Sequence, residues 1–158
     1  MAVEAKRDGI RVVIRAFRPS DAGAVTKILE GAREAADWSE ESLGEAAGSS
    51  GGLALVSEAD GEVAGFLLGR QAADEAEILN LGVAPGRRRR GDGERLLGAA
   101  LHAFQSQGVS RVFLEVRQSN EAGMALYLKH GFAETGRRPG YYRNPKEAAI
   151  LMERKLTG

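Results

Sequence analysis

Cysteine is absent from the 158-residue chain, which removes a disulfide framework, a thiolate nucleophile and any Cys-based metal site. Only two histidines, His102 and His130, are present, too few and too scattered for a zinc site. Net charge is missing as well: 22 Lys+Arg balance 22 Asp+Glu, which argues against wholesale nucleic-acid or membrane binding. No apolar run approaches the roughly 20 residues of a membrane span. Residues 1–10 lack the apolar centre of a signal peptide, so a cytoplasmic location is the expectation. The length suits one domain with its own core, expected over 11–158 behind a loose, flexible N-terminus at 1–10. Glycine, by contrast, is abundant at 21, but it falls at turns and does not repeat.

One stretch concentrates charge and glycine together: Arg87-Arg88-Arg89-Arg90-Gly91-Asp92-Gly93. The apolar run Glu77-Ile78-Leu79-Asn80-Leu81-Gly82-Val83 before it has strand length. After it, Leu97, Ala100, Leu101 and Phe104 recur at helical spacing. Strand, basic glycine turn and helix start describe an anion site, because the first helical turn offers unpaired N–H groups and a favourable dipole. The guest is a phosphate or pyrophosphate. No G-x-x-x-x-G-K-[ST] occurs, so a nucleotide P-loop is excluded, and no G-x-G-x-x-G supports a dinucleotide site. The plainer alternative is a solvated arginine turn with Asp92 as helix N-cap.

The remaining pattern predicts a strand at 11–17, a helix starting near Pro19-Ser20-Asp21 and a second one capped by Ser39. Strands at 53–58 and 63–69, joined through Asp60-Gly61, form a hairpin that continues into the strand at 77–83. The helix after Gly93 stops at Gly108, a strand follows at 111–117, and a helix begins at Ser119-Asn120 and stops at His130-Gly131. A short strand at 132–134, a polar loop at 136–145 and a last strand at 148–153 complete the chain. The order predicts an α/β fold: one mixed sheet with helices on both faces.

Strand 111–117 puts Val112, Leu114 and Val116 on one face, and Phe113 and Glu115 on the other. A carboxylate amid apolar neighbours is disfavoured in its ionised form, and desolvation moves it toward the range of a general base. The alternative is an edge-strand Glu facing water, paired with Arg117. Tyr127, in the following helix, reads either as core packing with its hydroxyl at the rim or as a proton donor.

Taken together, the run 77–85, Arg88-x-x-Gly91-x-Gly93, Leu114-Glu115-Val116-Arg117-x-Ser119-Asn120, Ala125-Leu126-Tyr127 and Gly131-Phe132 resemble the GCN5-related N-acetyltransferase superfamily, closest to its RimI-type ribosomal-protein N-alpha-acetyltransferases. Trp38-Ser39-Glu40, Tyr141-Tyr142 and Ala149-Ile150-Leu151-Met152 extend the resemblance over nearly the whole chain after residue 10. It implies the GNAT fold, a single mixed, mostly antiparallel twisted sheet whose central strands splay to admit acetyl-CoA. Leu81, Gly82 and Val83 would then contact the cofactor arm through backbone, with the Val83 N–H steadying the oxyanion. Arg88, Arg89, Arg90, Gly91, Asp92, Gly93 and Glu94 would wrap the pyrophosphate, and Asn120 would hydrogen-bond the cofactor. Glu115 matches the family's general base and Tyr127 the acid that protonates the departing thiolate. No metal is implied.

Two positions depart from the family pattern. Asp92 stands beside a doubly anionic pyrophosphate, either pointing at it or capping the helix outward. Gly82 replaces a usual alanine, which loosens the strand. The implied acceptor is the N-terminal α-amine of a protein, in the type case a small-subunit ribosomal protein. An α-amine, with a pKa of about 8 against about 10.4 for lysine, is already partly neutral at working pH. Tyr141 and Tyr142 read as a lip over the peptide or as simple packing, and Trp38 as a packing anchor near the acceptor. Lysine side chains, polyamines or another small amine are the alternative acceptors. A non-catalytic acyl-CoA sensor and an RNA-binding module using Arg87 to Arg90 are the readings from other classes. Balanced charge and the lack of aromatics interleaved near that run speak against RNA.

Overall fold

A computed structural model of the protein describes residues 2–7, 9–31, 38–88, 90–143 and 145–156. Eight strands form one sheet in the order β1-β2-β3-β4-β5-β6-β8-β7. These are β1 (Ala2–Arg7), β2 (Ile10–Ala16), β3 (Gly52–Ala59), β4 (Glu62–Ala72), β5 (Glu75–Val83), β6 (Arg111–Arg117), β7 (Ala133–Tyr142) and β8 (Glu147–Lys155). Every neighbouring pair is antiparallel except β5 and β6, which run parallel. The four helices are α1 (Ala22–Gly31), α2 (Glu40–Gly48), α3 (Asp92–Ser106) and α4 (Glu121–Lys129). The crossover β5–α3–β6 supplies the long connection that a parallel pair needs.

Two apolar layers sandwich the sheet. Phe66 and Leu68 of β4 turn to one face and pack with Val25 and Leu29 of α1 and Leu43 of α2. Leu67 turns to the other, where Leu96, Leu97, Ala100, Leu101 and Phe104 of α3 meet Val112, Leu114 and Val116 of β6 and Tyr127 of α4. The 3-4 spacing read in the sequence is therefore the buried stripe of α3. Each leucine or phenylalanine of that stripe, fully buried, stabilises the fold by about 1.5–3 kcal/mol. Arg15 of β2 holds the start of α1 in place through Asp21, at 2.8 Å, while also pairing with Glu58 of β3 at 2.6 Å.

Three expectations change. Residues 2–7, expected to be loose, pair as β1 along β2 through a turn at Gly9, whose φ is +77°. Backbone pairing at a sheet edge needs no apolar periodicity, so the polar sequence carried no sign of it. Residues 136–142, expected in a loop, belong to β7, whose backbone groups pair with those of β8. Glycine and proline are accommodated there by two register shifts, after Glu134 and after Arg138. Third, β6 is an interior strand, bonded by β5 on one side and β8 on the other.

What positions the site is the end of the one parallel pair. β5 and β6 are in register from Glu75–Arg111 to Ile78–Leu114, and no further. At that point Leu79 is an extra residue against β4, since Leu68 faces Asn80 while Gly69 faces Ile78. A bulge bends its strand and strengthens the local twist, so β5 turns away from β6 just where their pairing stops. The strands then splay.

Candidate active site

The splay leaves a row of backbone groups without a strand partner. Ala84 donates its N–H to Ala64 of β4 at 2.8 Å. Antiparallel ladders alternate their hydrogen-bonding direction residue by residue, so Gly82 also faces β4 while Leu81 and Val83 point their N–H and C=O groups into the gap. Gly82 does more than loosen the strand. A Cβ there would lie 3.2 Å from Leu29 Cδ2, so the missing methyl lets α1 close down on β5.

The basic loop lies at the mouth of the gap. It opens with a 3-10 turn at Pro85–Arg87 and ends at Gly91, which occupies the N-cap of α3 at φ +83° and provides no side-chain cap. The start of α3 thus has no N-cap side chain on it, whereas Ser39 caps α2 and Asn120 caps α4. At that φ an L-residue with a Cβ is strained by about 1–2 kcal/mol. Gly91→Ala should therefore lower stability by that amount in urea unfolding. A neutral result would mean that the helix can start in another backbone conformation.

Asp92 follows neither course expected of it. It is the first residue of α3, its carboxylate is fully shielded from solvent, and it lies between two arginines. Arg87 Nε and Nη2 each donate to it at 3.1 Å, and Arg95 Nη1 at 3.3 Å. Arg95 also donates to the Arg90 carbonyl at 3.0 Å. The residue braces the loop from within and does not cap the helix. Arg87 is consequently spent on Asp92, while Arg88 and Arg90 stay exposed and, among the described residues, outside any ion pair. Arg89 lies outside the described residues.

Glu94 turns sideways, forming an ion pair with Lys129 and lying 3.9 Å from His130 Nε2, both at the end of α4. Gly93 lies where the two helices meet, and a Cβ there would make an ordinary contact with Leu126 Cδ2 at 3.4 Å. At the other end of α4 the Asn120 side-chain oxygen accepts from the Gly123 N–H at 2.9 Å, which leaves its amide nitrogen to donate elsewhere.

Glu115 is the first residue of β6 beyond the last pairing with β5. Its side chain is 24% exposed, and Arg138 Nη2 of β7 lies 3.6 Å from Oε1. Arg117, the partner anticipated from sequence, is engaged elsewhere. Its guanidinium lies 4.2 Å over the Tyr142 ring and its Nη1 is 3.6 Å from Glu147. Tyr141 and Tyr142 meet edge to face at 5.1 Å. The charge of Glu115, aided by a hydrogen-bonding contact, holds the Tyr141 phenol above its ordinary range. Burial first, and Glu115 second, do the same to Tyr142.

Tyr127 is buried in α4, edge-on to Phe132 at 5.7 Å. Burial, with a smaller push from Tyr142, keeps its phenol protonated well beyond the usual range. Tyr142 lies within electrostatic reach of both Glu115 and Tyr127, while Tyr127 itself packs with Leu114 and Val116, on the face of β6 opposite Glu115. Arg138 was not identified from sequence. It stands two strands from Glu115, and only the sheet order and the β7 register shift bring the two together.

An open parallel pair, a helix start without a side-chain cap behind a basic loop, and a carboxylate at the opening lie together at this end of the sheet. The profile of the Acetyltransferase (GNAT) family matches residues 23–132, and the chain belongs to that family. The ribosomal protein bS18-alanine N-acetyltransferase of Salmonella typhimurium is 39% identical over 102 residues, covering 63% of this chain and 69% of that protein. The enzyme of the same name from Escherichia coli K12 is 38% identical over 95 residues, and the match spans 64% of its length. Among solved structures, the Escherichia coli ribosomal-protein-S18-alanine N-acetyltransferase superposes with a TM-score of 0.84 at 31% identity, covering 93% of this chain and 96% of that one. A Salmonella typhimurium protein solved with its cofactor acetyl-CoA shares the fold at TM-score 0.78 and 23% identity.

Proposed function

We propose that the protein transfers the acetyl group of acetyl-CoA to the N-terminal α-amine of a protein, a ribosomal protein of the bS18 type named for its relatives. The observation that carries this reading is the end of β5–β6 pairing at Leu114, with Glu115 next in line. A carboxylate at the opening of a gap flanked by unpaired N–H groups is suited to a nucleophile arriving from one face and an acyl donor from the other.

The residues fit the cofactor. The gap-facing groups of Leu81 and Val83 would pair with the amides of its arm, the uncapped N–H groups of α3 with its pyrophosphate, and Arg88 and Arg90 would add charge. The Asn120 amide nitrogen is a further donor at that wall. When bound, acetyl-CoA supplies a thioester carbonyl open to attack. Glu115 takes the proton that the attacking nitrogen sheds as the C–N bond forms. The Val83 N–H, turned into the gap, would steady the oxygen on which charge develops. Tyr127, kept protonated by burial, gives its proton to the sulfur as the C–S bond breaks. No covalent acyl-enzyme is required, consistent with a chain that has no cysteine.

The test is transfer from acetyl-CoA to a peptide with an N-terminal alanine and one internal lysine, the added group located by mass spectrometry. Acetyl on the α-amine is expected. Acetyl on lysine would overturn the acceptor assignment, and acetyl-CoA binding without transfer to either amine would overturn the reaction.

A further inference from the structure

Across β8 from β6, the β7 strand is built irregularly. Arg138 faces Ala149, yet the next paired residue, Tyr142, faces Glu147. Pro139, Gly140 and Tyr141 therefore share the span of a single β8 residue, Ala148. Gly140 takes a φ of +63° within this bulge. Bulges commonly re-aim side chains beside functional sites. Here Ala149 is small, and the Arg138 side chain reaches across β8 to Glu115, its Nη2 3.6 Å from Oε1 and its guanidinium 5.6 Å from the Tyr141 ring centre.

The two arginines that β6 itself turns to this face are engaged elsewhere. Arg111 lies 3.4 Å from Glu153, and Arg117 lies 3.6 Å from Glu147 beneath Tyr142. From β5, Glu77 contributes negative charge near Tyr141. Tyr141 and Tyr142 are the titratable neighbours from β7. Among the described residues, Arg138 is the cation within ion-pair distance of Glu115.

We propose that Arg138 is a specificity-determining residue that favours acceptors whose amine is already neutral, and so selects α-amines over lysine side chains. This deepens the reading of Glu115 as the base and rests on it. An ammonium must hand its proton to Glu115 before its nitrogen can attack. That transfer discharges the carboxylate and forfeits its attraction to Arg138. A neutral amine attacks while Glu115 is still charged and paired, and gives up its proton only as the C–N bond forms. Near pH 7, roughly a tenth of an α-amine is neutral, against well under a thousandth of a lysine. The cation therefore handicaps the route on which lysine depends. It also weakens the pull of the site on any ammonium, polyamines included.

Arg138 is 57% exposed, so solvent screens the effect and a change of about threefold to fivefold is expected. The measurement is kcat/KM at pH 7 for two peptides, one with a free N-terminal alanine and no lysine, the other N-terminally blocked with one lysine. Arg138→Gln should raise the lysine-to-α-amine ratio about threefold to fivefold. Arg138→Lys, which keeps the charge, should return the ratio toward that of the unmodified protein. Loss of both activities in step, with the ratio fixed, would assign Arg138 a structural role and overturn the proposal. So would a ratio that rises equally in Arg138→Lys. If the unmodified protein does not acetylate the α-amine peptide, the proposed function itself has failed. If it does and the ratio stays fixed in Arg138→Gln, only this inference has.

Discussion

Glu115→Gln should lower acetyl transfer at pH 7 by about 100- to 1,000-fold, within the range ascribed to a positioned general base. The amide is nearly isosteric with the carboxylate and can still face Arg138 and Tyr141, so the splay of β5 and β6 should survive. It cannot take a proton from the attacking nitrogen. Acetyl-CoA affinity, read by calorimetry, should change little, because the cofactor contacts assigned to Leu81, Val83 and the α3 N-terminus do not involve this side chain. Part of the loss will be indirect, since Arg138 is left facing a neutral group. Arg138→Gln made in the Glu115→Gln background isolates that part. If the second substitution restores activity severalfold, the unpaired guanidinium contributed to the defect. If it changes nothing, the loss belongs to the missing base. Turnover unaltered in Glu115→Gln would remove the residue from its role. The buried Tyr127 phenol stays protonated through the usable range, so the shape of the pH profile on the alkaline side of neutrality should be unchanged in Tyr127→Phe while turnover falls.

How far the sequence anticipated this site depends on the range of each interaction. The basic loop was legible because its parts are consecutive: a strand run, a glycine that adopts the left-handed region at Gly91, and the 3-4 repeat of α3. Glu115 was legible as an odd polar residue on an apolar strand, and its family context supplied a role. The bulge at Leu79 was not. Apart from Asn80 the run from Ile78 to Val83 carries no polar side chain, and nothing in it marks where β6 ceases to pair. The orientation of Asp92 depends on Arg95, one helical turn on, and on the 3-10 turn that brings Arg87 back beneath it, neither of which has a local signature. Arg138 required the strand order β6-β8-β7 and the three-residue irregularity opposite Ala148. The β1 hairpin was missed for the opposite reason: edge pairing through backbone alone leaves the side-chain pattern unconstrained.

Asp92→Ala carries the largest expected effect on the fold. Its carboxylate has no exposure, and the arginines on either side are only 14% and 24% exposed. Removing one member of a buried ion cluster leaves the remaining charges desolvated and unpaired, at a cost of about 3 kcal/mol or more. For a chain of this size that corresponds to a fall of roughly 6–12 °C in Tm. Asp92→Asn, which keeps an oxygen for Arg87 but loses the charge, should fall between Asp92→Ala and the unmodified protein. A shift below about 2 °C in Asp92→Ala would show that the cluster is not holding the loop. The same variant tests how an acidic residue is tolerated beside a pyrophosphate site. Two arginines and one aspartate leave that cluster with a net charge of +1, so the carboxylate does not make the site repulsive. It consumes Arg87 and fixes the path of the loop, while Arg88 and Arg90 stay free to meet an anion. On this account Asp92→Ala releases a cation near the phosphates yet weakens acetyl-CoA binding, because the loop is no longer held. Tighter binding in a destabilised Asp92→Ala would reverse that ordering, and charge near the phosphates would then outweigh loop order.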